Sequence, residues 1–495
     1  MTPPSTTAST SEHLSTQAGL ARRTLTVRHL VFLIIAASAP LTVVAGGAPT
    51  SFAVTGLTGV PVGYLGLGII LVVFAVGYGA MSAHVHNAGA FYAYVSSGLG
   101  VRQGIGAAML ALVSYNAMQI GLYGIFGFAL SSLVSAKTGL DLPWWGAALI
   151  GFVAVGWLGM NKIDLSAKVV GVLVLLEFAV VIVVDVISFM VAPEGVTAAP
   201  FAPEAWATHG IGAILAFGIA AFMGFESGAI YSEEVKDPRR SVARATFIAV
   251  AIISLFYAFS SWALAVGVGV SDIVPLSQKY GPDLVFVFLE QQGSTLMADI
   301  GNVLFITSLF AALMAFHHAA ARYFFSLGRS RVLPRLLAAS GRHNHAPIAG
   351  SMAQSVLALA LIVIFAIAGA GSELGALFPV VTMFTWLTNA AAFGLVFLLC
   401  VTSLAVIAYF RTDHRGYSPL VRLWAPAVSA LALGIVFVLI LVNFDVMIGA
   451  EGPSPLVVVM PAIIIGAGVV GLVWGEILRR SKPEVFAGLR DADVG

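Results

Sequence analysis

Two glutamates stand alone in long apolar runs: Glu177 within Leu173-Val174-Leu175-Leu176-Glu177-Phe178, and Glu226 at the end of Gly218-Ile219-Ala220-Ala221-Phe222-Met223-Gly224-Phe225-Glu226. An ionisable group in such surroundings is costly and is a functional position by default, and the chemistry open to it is uptake and release of a proton. Each also has a plainer reading. Glu177 could bond permanently to a neighbouring helix, and Glu226 could bond to the backbone beside it and fix its shape. Asp185, two helical turns beyond Glu177, either marks an exit or pairs locally. His317 and His318 are adjacent and point about 100° apart on a helix, so at most one faces a pathway, as a neutral hydrogen-bonded ring or as a pH sensor. His84-Val85-His86 and His343-Asn344-His345 have no cysteine or carboxylate at ligand spacing, so no metal is expected, and no motif calls for a cofactor. Asn116, Gln119 and Tyr123 recur at spacings of three and four, a polar stripe that could select a ligand or bond between helices. Thr385, Trp386, Thr388 and Asn389 form a weaker set further on.

The groups next in chemical interest are backbone groups. Ala36-Ala37-Ser38-Ala39-Pro40 interrupts a bulky aliphatic run. Pro40 lacks an N–H and clashes one turn back, yet it suits the first position of a new half-helix capped by Ser38 or Ala39. Unpaired N–H groups near Ser38, at the positive end of a helix dipole, suit a carboxylate. Gly46, Gly47 and Pro49 offer a second irregularity. In the stretch Gly218 to Glu226, small residues and a central glycine predict unwinding that frees carbonyls for an ammonium group.

The elements that position these groups follow from composition. Of 495 residues 59% are apolar and only 9% charged, with 24 Lys+Arg against 23 Asp+Glu. Soluble domains carry about a quarter charged residues, so the chain is read as an all-α membrane protein. Spanning the bilayer takes about 20 apolar residues per helix, and twelve such stretches occur, at 29–56, 60–83, 103–135, 143–160, 166–191, 209–235, 243–268, 297–327, 348–370, 376–410, 421–447 and 455–478. The tenth is long enough to expect a tilt or kink. With both termini cytoplasmic, all but Lys137 and Lys279 of the 24 basic residues fall inside, as the positive-inside rule requires. An interrupted spanning helix is tolerated only beside a protein-lined cavity. The two interrupted spans are the first and the sixth, the leading members of two successive sets of five, a pattern expected of an inverted-repeat transporter with a midplane site. The organisation expected is a disordered cytoplasmic tail over 1–24, a ten-helix core over 25–410 with repeats at about 25–191 and 208–410, two extra helices over 411–480, and a cytoplasmic tail over 481–495.

Several classes are excluded. A broad nucleic-acid-binding face needs more basic charge than this chain has. No Gly-x-Ser-x-Gly, His-Glu-x-x-His or phosphate-binding loop points to an enzyme or to direct ATP drive. Neither a ring of charge nor a filter motif points to a channel. Cys400, the single cysteine, lies in an apolar run and reads as a small buried hydrophobe.

Gly224-Phe225-Glu226-Ser227, running into Glu233-Glu234-Val235-Lys236-Asp237-Pro238-Arg239-Arg240, resembles the sixth-helix signature of the amino acid–polyamine–organocation superfamily of permeases. Asn87-Ala88-Gly89-Ala90-Phe91-Tyr92-Ala93-Tyr94 resembles that family's first cytoplasmic loop. Arg322-Tyr323-Phe324-Phe325-Ser326-Leu327-Gly328-Arg329, with Leu333-Pro334 and Pro347, resembles the end of its eighth helix and the loop beyond. The resemblance spans roughly residues 27 to 350 in order. Many members carry Gly-Ser-Gly where this chain has Ala37-Ser38-Ala39, so methyl groups narrow the space beside Ser38.

The resemblance implies a secondary active transporter of an amino acid, in the plasma membrane, with helices one and six rocking against helices three, four, eight and nine. It implies that the backbone of Ala37, Ser38 and Ala39 holds a carboxylate and that the carbonyls of Ala220, Ala221 and Phe222 hold an amine. Phe225 and the third-helix residues Asn116 and Gln119 would complete the substrate site. Glu226 and Glu177 would serve proton coupling or gating. The coupling ion expected is a proton, with sodium at Thr307 and Ser308 or ion-free exchange as alternatives, and a polyamine, ethanolamine or other organic amine as the alternative substrate. Glu233, Glu234, Lys236, Asp237, Arg239 and Arg240 read as an inner gate of salt bridges or a solvated topology anchor.

Overall fold

The computed structural model describes residues 26–85, 91–161, 167–226, 238–341, 346–449 and 452–491, and these form helices joined by turns and loops, with no strand among them. The tail over 1–24, Asn87 to Ala90, His86, His343, His345, and Ser227 to Asp237 lie outside the described residues, as do the side chains of Lys168, Arg239 and Arg240. Eleven helices among the described residues are long and apolar enough to cross a membrane. The sixth expected span is represented by the shorter apolar helix Ile211–Phe222.

The first span divides in two. Helix α1 (Val27–Ala37) ends at Ser38, and Ala39 takes φ 45°, a left-handed conformation rare for a residue with a Cβ. The chain restarts at Pro40, passes through a π-helical turn over Thr42–Gly47 and continues as α2 (Ala48–Thr55). The turn covers Gly46 and Gly47, the second irregularity expected there. Helices α3 (Val60–Ser82) and α4 (Phe91–Leu99) lead to α5 (Val101–Thr138), the longest helix among the described residues. Then follow α6 (Trp144–Asn161), α7 (Ala167–Val191) and α8 (Ile211–Phe222).

Helix α8 runs through Gly218 to Phe222 and opens at Met223 and Gly224, inside the stretch Gly218 to Glu226 and directly before Glu226. Gly218 has a packing role, because a Cβ there would lie 2.4 Å from Leu67 Cδ1 of α3. Beyond it come α9 (Pro238–Val268), α10 (Thr295–Arg329) and α11 (Ile348–Ala368). The tenth span starts with a π-helical turn over Val380–Phe384 and continues as α12 (Thr385–Thr412). Helices α13 (Ala425–Val442) and α14 (Leu456–Ser481) complete the bundle. A short helix over Pro483–Asp491 occupies most of the expected C-terminal tail.

Helix packing relies on small residues, since lipid offers no hydrophobic drive between helices. Gly68 and Gly79 of α3 lie against Ser254 and Ala243 of α9, and Gly471 of α14 lies against Gly106 of α5. Leu, Val and Ile side chains on α7, α11 and α14 turn outward toward lipid.

Candidate functional site

The two interruptions meet. A Cβ added at Gly224 would lie 3.0 Å from the Ala37 carbonyl oxygen and 3.1 Å from the Ala37 Cβ, so the breaks of the first and sixth spans touch. Gly224 also has φ 109°, a conformation open to glycine at little cost. Both the space and the backbone therefore demand glycine at this position.

At the first break, the donors differ from those expected. The Ser38 N–H donates to the carbonyls of Ile34 and Ile35, at 3.2 and 3.1 Å, and the Ala39 N–H donates to Ala36 at 3.0 Å. Those two groups are spent within the preceding turn, and Pro40 has no N–H. The donor that leaves the segment is Leu41, whose N–H reaches Glu177 Oε2 at 3.1 Å. The carboxylate at the head of the second half-helix is thus one of the protein's own, delivered by α7 from 136 positions away. Thr42 donates its hydroxyl proton to Ser308 Oγ of α10 at 3.0 Å, and Tyr257 of α9 donates to the Ser38 carbonyl at 3.0 Å. Thr307, the other hydroxyl considered on α10, turns back to the Leu304 carbonyl at 2.9 Å.

At the sixth break, the last carbonyls of α8 lack helical donors, as at any helix C-terminus, and carry the negative end of the dipole. The Ala220 carbonyl accepts the Met223 N–H at 3.2 Å. No donor outside the helix reaches Ala221 or Phe222 among the described residues. Phe222 packs on the Tyr257 ring, with centroids 6.1 Å apart, and Phe225 packs edge-on against Phe74 of α3 at 6.0 Å. Both phenylalanines are fully buried.

Glu226 is enclosed. One carboxylate oxygen accepts the Gly224 N–H at 2.9 Å, the other accepts the Tyr115 hydroxyl of α5, and Tyr78 donates to the Glu226 carbonyl at 3.3 Å. Tyr115 stacks on Tyr323 of α10, with centroids 5.4 Å apart, and Tyr78 packs on Tyr94 of α4 at 4.9 Å. Tyr94 and Tyr323 come from two of the three stretches that carry the family resemblance, and Glu226 from the third. Three segments far apart in sequence therefore converge around one carboxylate.

The third-helix stripe divides. The Gln119 Oε1 accepts Gln354 Nε2 of α11 at 2.5 Å, and Tyr123 packs on Phe152 of α6 at 6.3 Å. Gln119 is committed to α11 rather than to either break, the interhelical alternative. Asn116 donates to the Leu112 carbonyl at 2.6 Å, while its Oδ1 is buried without a partner. On α12, Thr385 and Thr388 bond back to Val380 and Phe384, and Trp386 donates to Ile448. Asn389 is wholly buried with neither amide atom partnered. Contacts of Gly394 with Ser114 and of Gly121 with Thr388 run α5 and α12 antiparallel, which puts Asn389 level with the Asn116–Gln119 stretch. His317 is buried and bonds to Ser351 Oγ at 2.7 Å, tying α10 to α11. Asp185 bonds to Ser260 of α9 at 2.8 Å, a local pairing.

Sequence reasoning missed Tyr115, Tyr78 and Tyr257, which hold the breaks to the surrounding helices. The available signal was a tyrosine in an otherwise apolar spanning helix, whose hydroxyl needs a partner.

A family model of amino acid permeases matches residues 29–483. No curated protein matches the chain.

Proposed function

The chain belongs to the amino acid permease family, a family of membrane transporters for amino acids or related organic compounds, and from that premise we propose that it carries an amino acid across the plasma membrane by proton-coupled alternating access. In this reading both termini are cytoplasmic, and residues 25–410 form two inverted repeats whose leading helices are the interrupted spans. The observation that carries it is the contact of the two breaks, Gly224 on Ala37, with Glu177 on the Leu41 N–H beside them. Neutralising Glu177 with a proton weakens its bond to Leu41, since hydrogen bonds to charged groups are the stronger ones. A substrate carboxylate then competes for the same N–H. Protonation and substrate entry are coupled because both act on one backbone donor. The carbonyls of Ala221 and Phe222 take the substrate amine, and Asn116 Oδ1 is the unpaired acceptor left on the third-helix stripe. Glu226, bonded through both oxygens, keeps the unwound segment in shape. Ser308 is engaged with Thr42, which favours a proton over sodium.

One observation favours a second reading. With Ser38 and Ala39 bonded internally and Glu177 on Leu41, the first break presents an anion rather than an anion receptor. That arrangement suits an organic amine lacking a carboxylate. A thermal-stability screen of the purified protein against amino acids, polyamines and ethanolamine at two pH values separates the two. Ligands that bind only the folded state raise the melting temperature by mass action. A shift with one class of amino acid, larger at the lower pH, supports the proton-coupled amino acid reading. A shift confined to amines without a carboxylate replaces it with the second.

A further inference from the structure

A cleft of about 370 Å³ opens between α1, α7 and α9, on the side of α1 that precedes the first break, and is lined by Val31, Phe32, Leu175, Phe178, Ile248 and Ile252 with Arg28 at its end. We infer that this cleft binds an anionic phospholipid, one acyl chain lying between the three helices and the headgroup phosphate held by Arg28 and Arg244.

The charge arrangement identifies the occupant. Every lining residue except Arg28 is apolar, and Phe32, Leu175, Ile248 and Ile252 are exposed on spanning helices, so hydrocarbon is the medium the cleft meets. The lining of α1 runs from Val27 to Ile35, roughly 12 Å at 1.5 Å per residue, enough for the upper part of an acyl chain. Arg28 is exposed and makes no ion pair among the described residues. Arg244 precedes Ile248 and Ile252 by one and two turns on α9, so the three share a face, and it too is exposed and makes no ion pair among the described residues. Two exposed guanidinium groups at one end of an apolar groove match a phosphate with a chain attached, and the planar fork of Arg binds phosphate bidentately. They lie at the end of the bundle where the basic residues cluster, the surface at which anionic lipids attract Lys and Arg. A lipid here braces α1, the half-helix that hinges at Ala39, against α7 and α9.

The test is the melting temperature of the delipidated full-length protein titrated with dioleoyl-phosphatidylglycerol, dioleoyl-phosphatidylcholine or glycerol phosphate. Phosphatidylglycerol is expected to raise it by about 3 °C more than phosphatidylcholine, and glycerol phosphate to leave it unchanged. Arg28→Ala with Arg244→Ala should remove the difference between the two lipids. Leu175→Trp, an outward-facing change that fills the cleft and keeps both charges, should remove the phosphatidylglycerol shift and decides the matter should the arginine variant not fold. Equal shifts with both lipids, an equal shift with glycerol phosphate alone, a self-associated species in place of a lipid-bound one, or an undiminished shift in Leu175→Trp would each overturn the inference.

Discussion

The two interrupted spans solve one geometric problem with different residues. The sixth span breaks at a glycine, Gly224 at φ 109°, and the first at an alanine, Ala39 at φ 45°. Each break has a carboxylate on a backbone N–H, but the sources differ. Glu226 lies two residues from the N–H it accepts, and its second oxygen is held by Tyr115. Glu177 comes from another helix to reach Leu41. Glu226 is anchored within its own turn as well as to α5, which fixes a local shape. Glu177 reaches Leu41 from another helix with no anchor in its own turn among the described residues, so its protonation changes how the two helices are joined. In the proposed function this difference is why Glu226 is given the shape of its break and Glu177 the coupling.

The sharpest way to break that assignment is Glu177→Gln. The amide oxygen can still accept the Leu41 N–H, so the geometry survives while the proton site is lost. Uptake into proteoliposomes under a pH gradient should fall to equal substrate concentrations on both sides, with ligand-induced thermal shifts retained. Full accumulation by this variant would move the coupling role elsewhere. Next in size is Gly224→Val. A left-handed conformation costs an L-residue roughly 1–2 kcal/mol, and overpacking against Ala37 adds about 1–3 kcal/mol. Chemical denaturation should show a loss in that combined range, together with lost transport. Tyr115→Phe should cost about 1.5–3 kcal/mol, the usual worth of a hydrogen bond to a charged group, while proton-driven accumulation persists. Were Tyr115→Phe to abolish accumulation and Glu177→Gln to spare it, the two carboxylates would exchange roles.

A carboxylate outside both breaks and outside the spans supplies the control. Burial pushes the Asp283 carboxyl up to about 6, against the bond from Ser132 that favours its charged form. An acid whose folded value exceeds its ordinary 3.8 holds its proton longer in the folded protein than in the unfolded one. Stability therefore falls as pH rises from about 4 to about 6 and stays lower above that. Asp283→Asn should raise the melting temperature at pH 8 and leave it unchanged near pH 3, with transport intact at both.

What could be read from the sequence was whatever composition or a single residue's covalent chemistry dictates. The spans follow from apolar length, and the first break from Pro40, which cannot donate. The sixth break falls within the stretch from Gly218 to Glu226, but only its far end opens and Gly218 stays helical. Its missing side chain instead admits Leu67, a neighbour that the sequence alone does not reveal. The same limit hid the bond from Leu41 to Glu177, which depends on how α7 packs against the first span. Tyr115 adjoins the Asn116 stripe in sequence but points about 100° away on the helix, so no periodicity links it to Glu226. Gln119 shares that stripe with Asn116, and only the position of α11 commits it to Gln354.

The smallest effect is expected at Ala39→Gly, and it bears most directly on why the two breaks differ. Glycine relieves the left-handed strain, roughly 1–2 kcal/mol, but it also loosens the unfolded chain by about 0.4–1 kcal/mol and gives up a buried methyl worth about 0.8 kcal/mol. The net change in stability should stay below about 1 kcal/mol in either direction, well short of the loss in Gly224→Val. The Ala39 Cβ is buried, so its removal also opens space beside Ser38. If that methyl restricts the substrate, the glycine variant should accept larger amino acids in the thermal-shift screen while the parent's own ligand still binds. A loss of stability as large as that of Gly224→Val would mean that Ala39 carries packing its φ does not disclose. The contrast between a strained and an unstrained break would then fail.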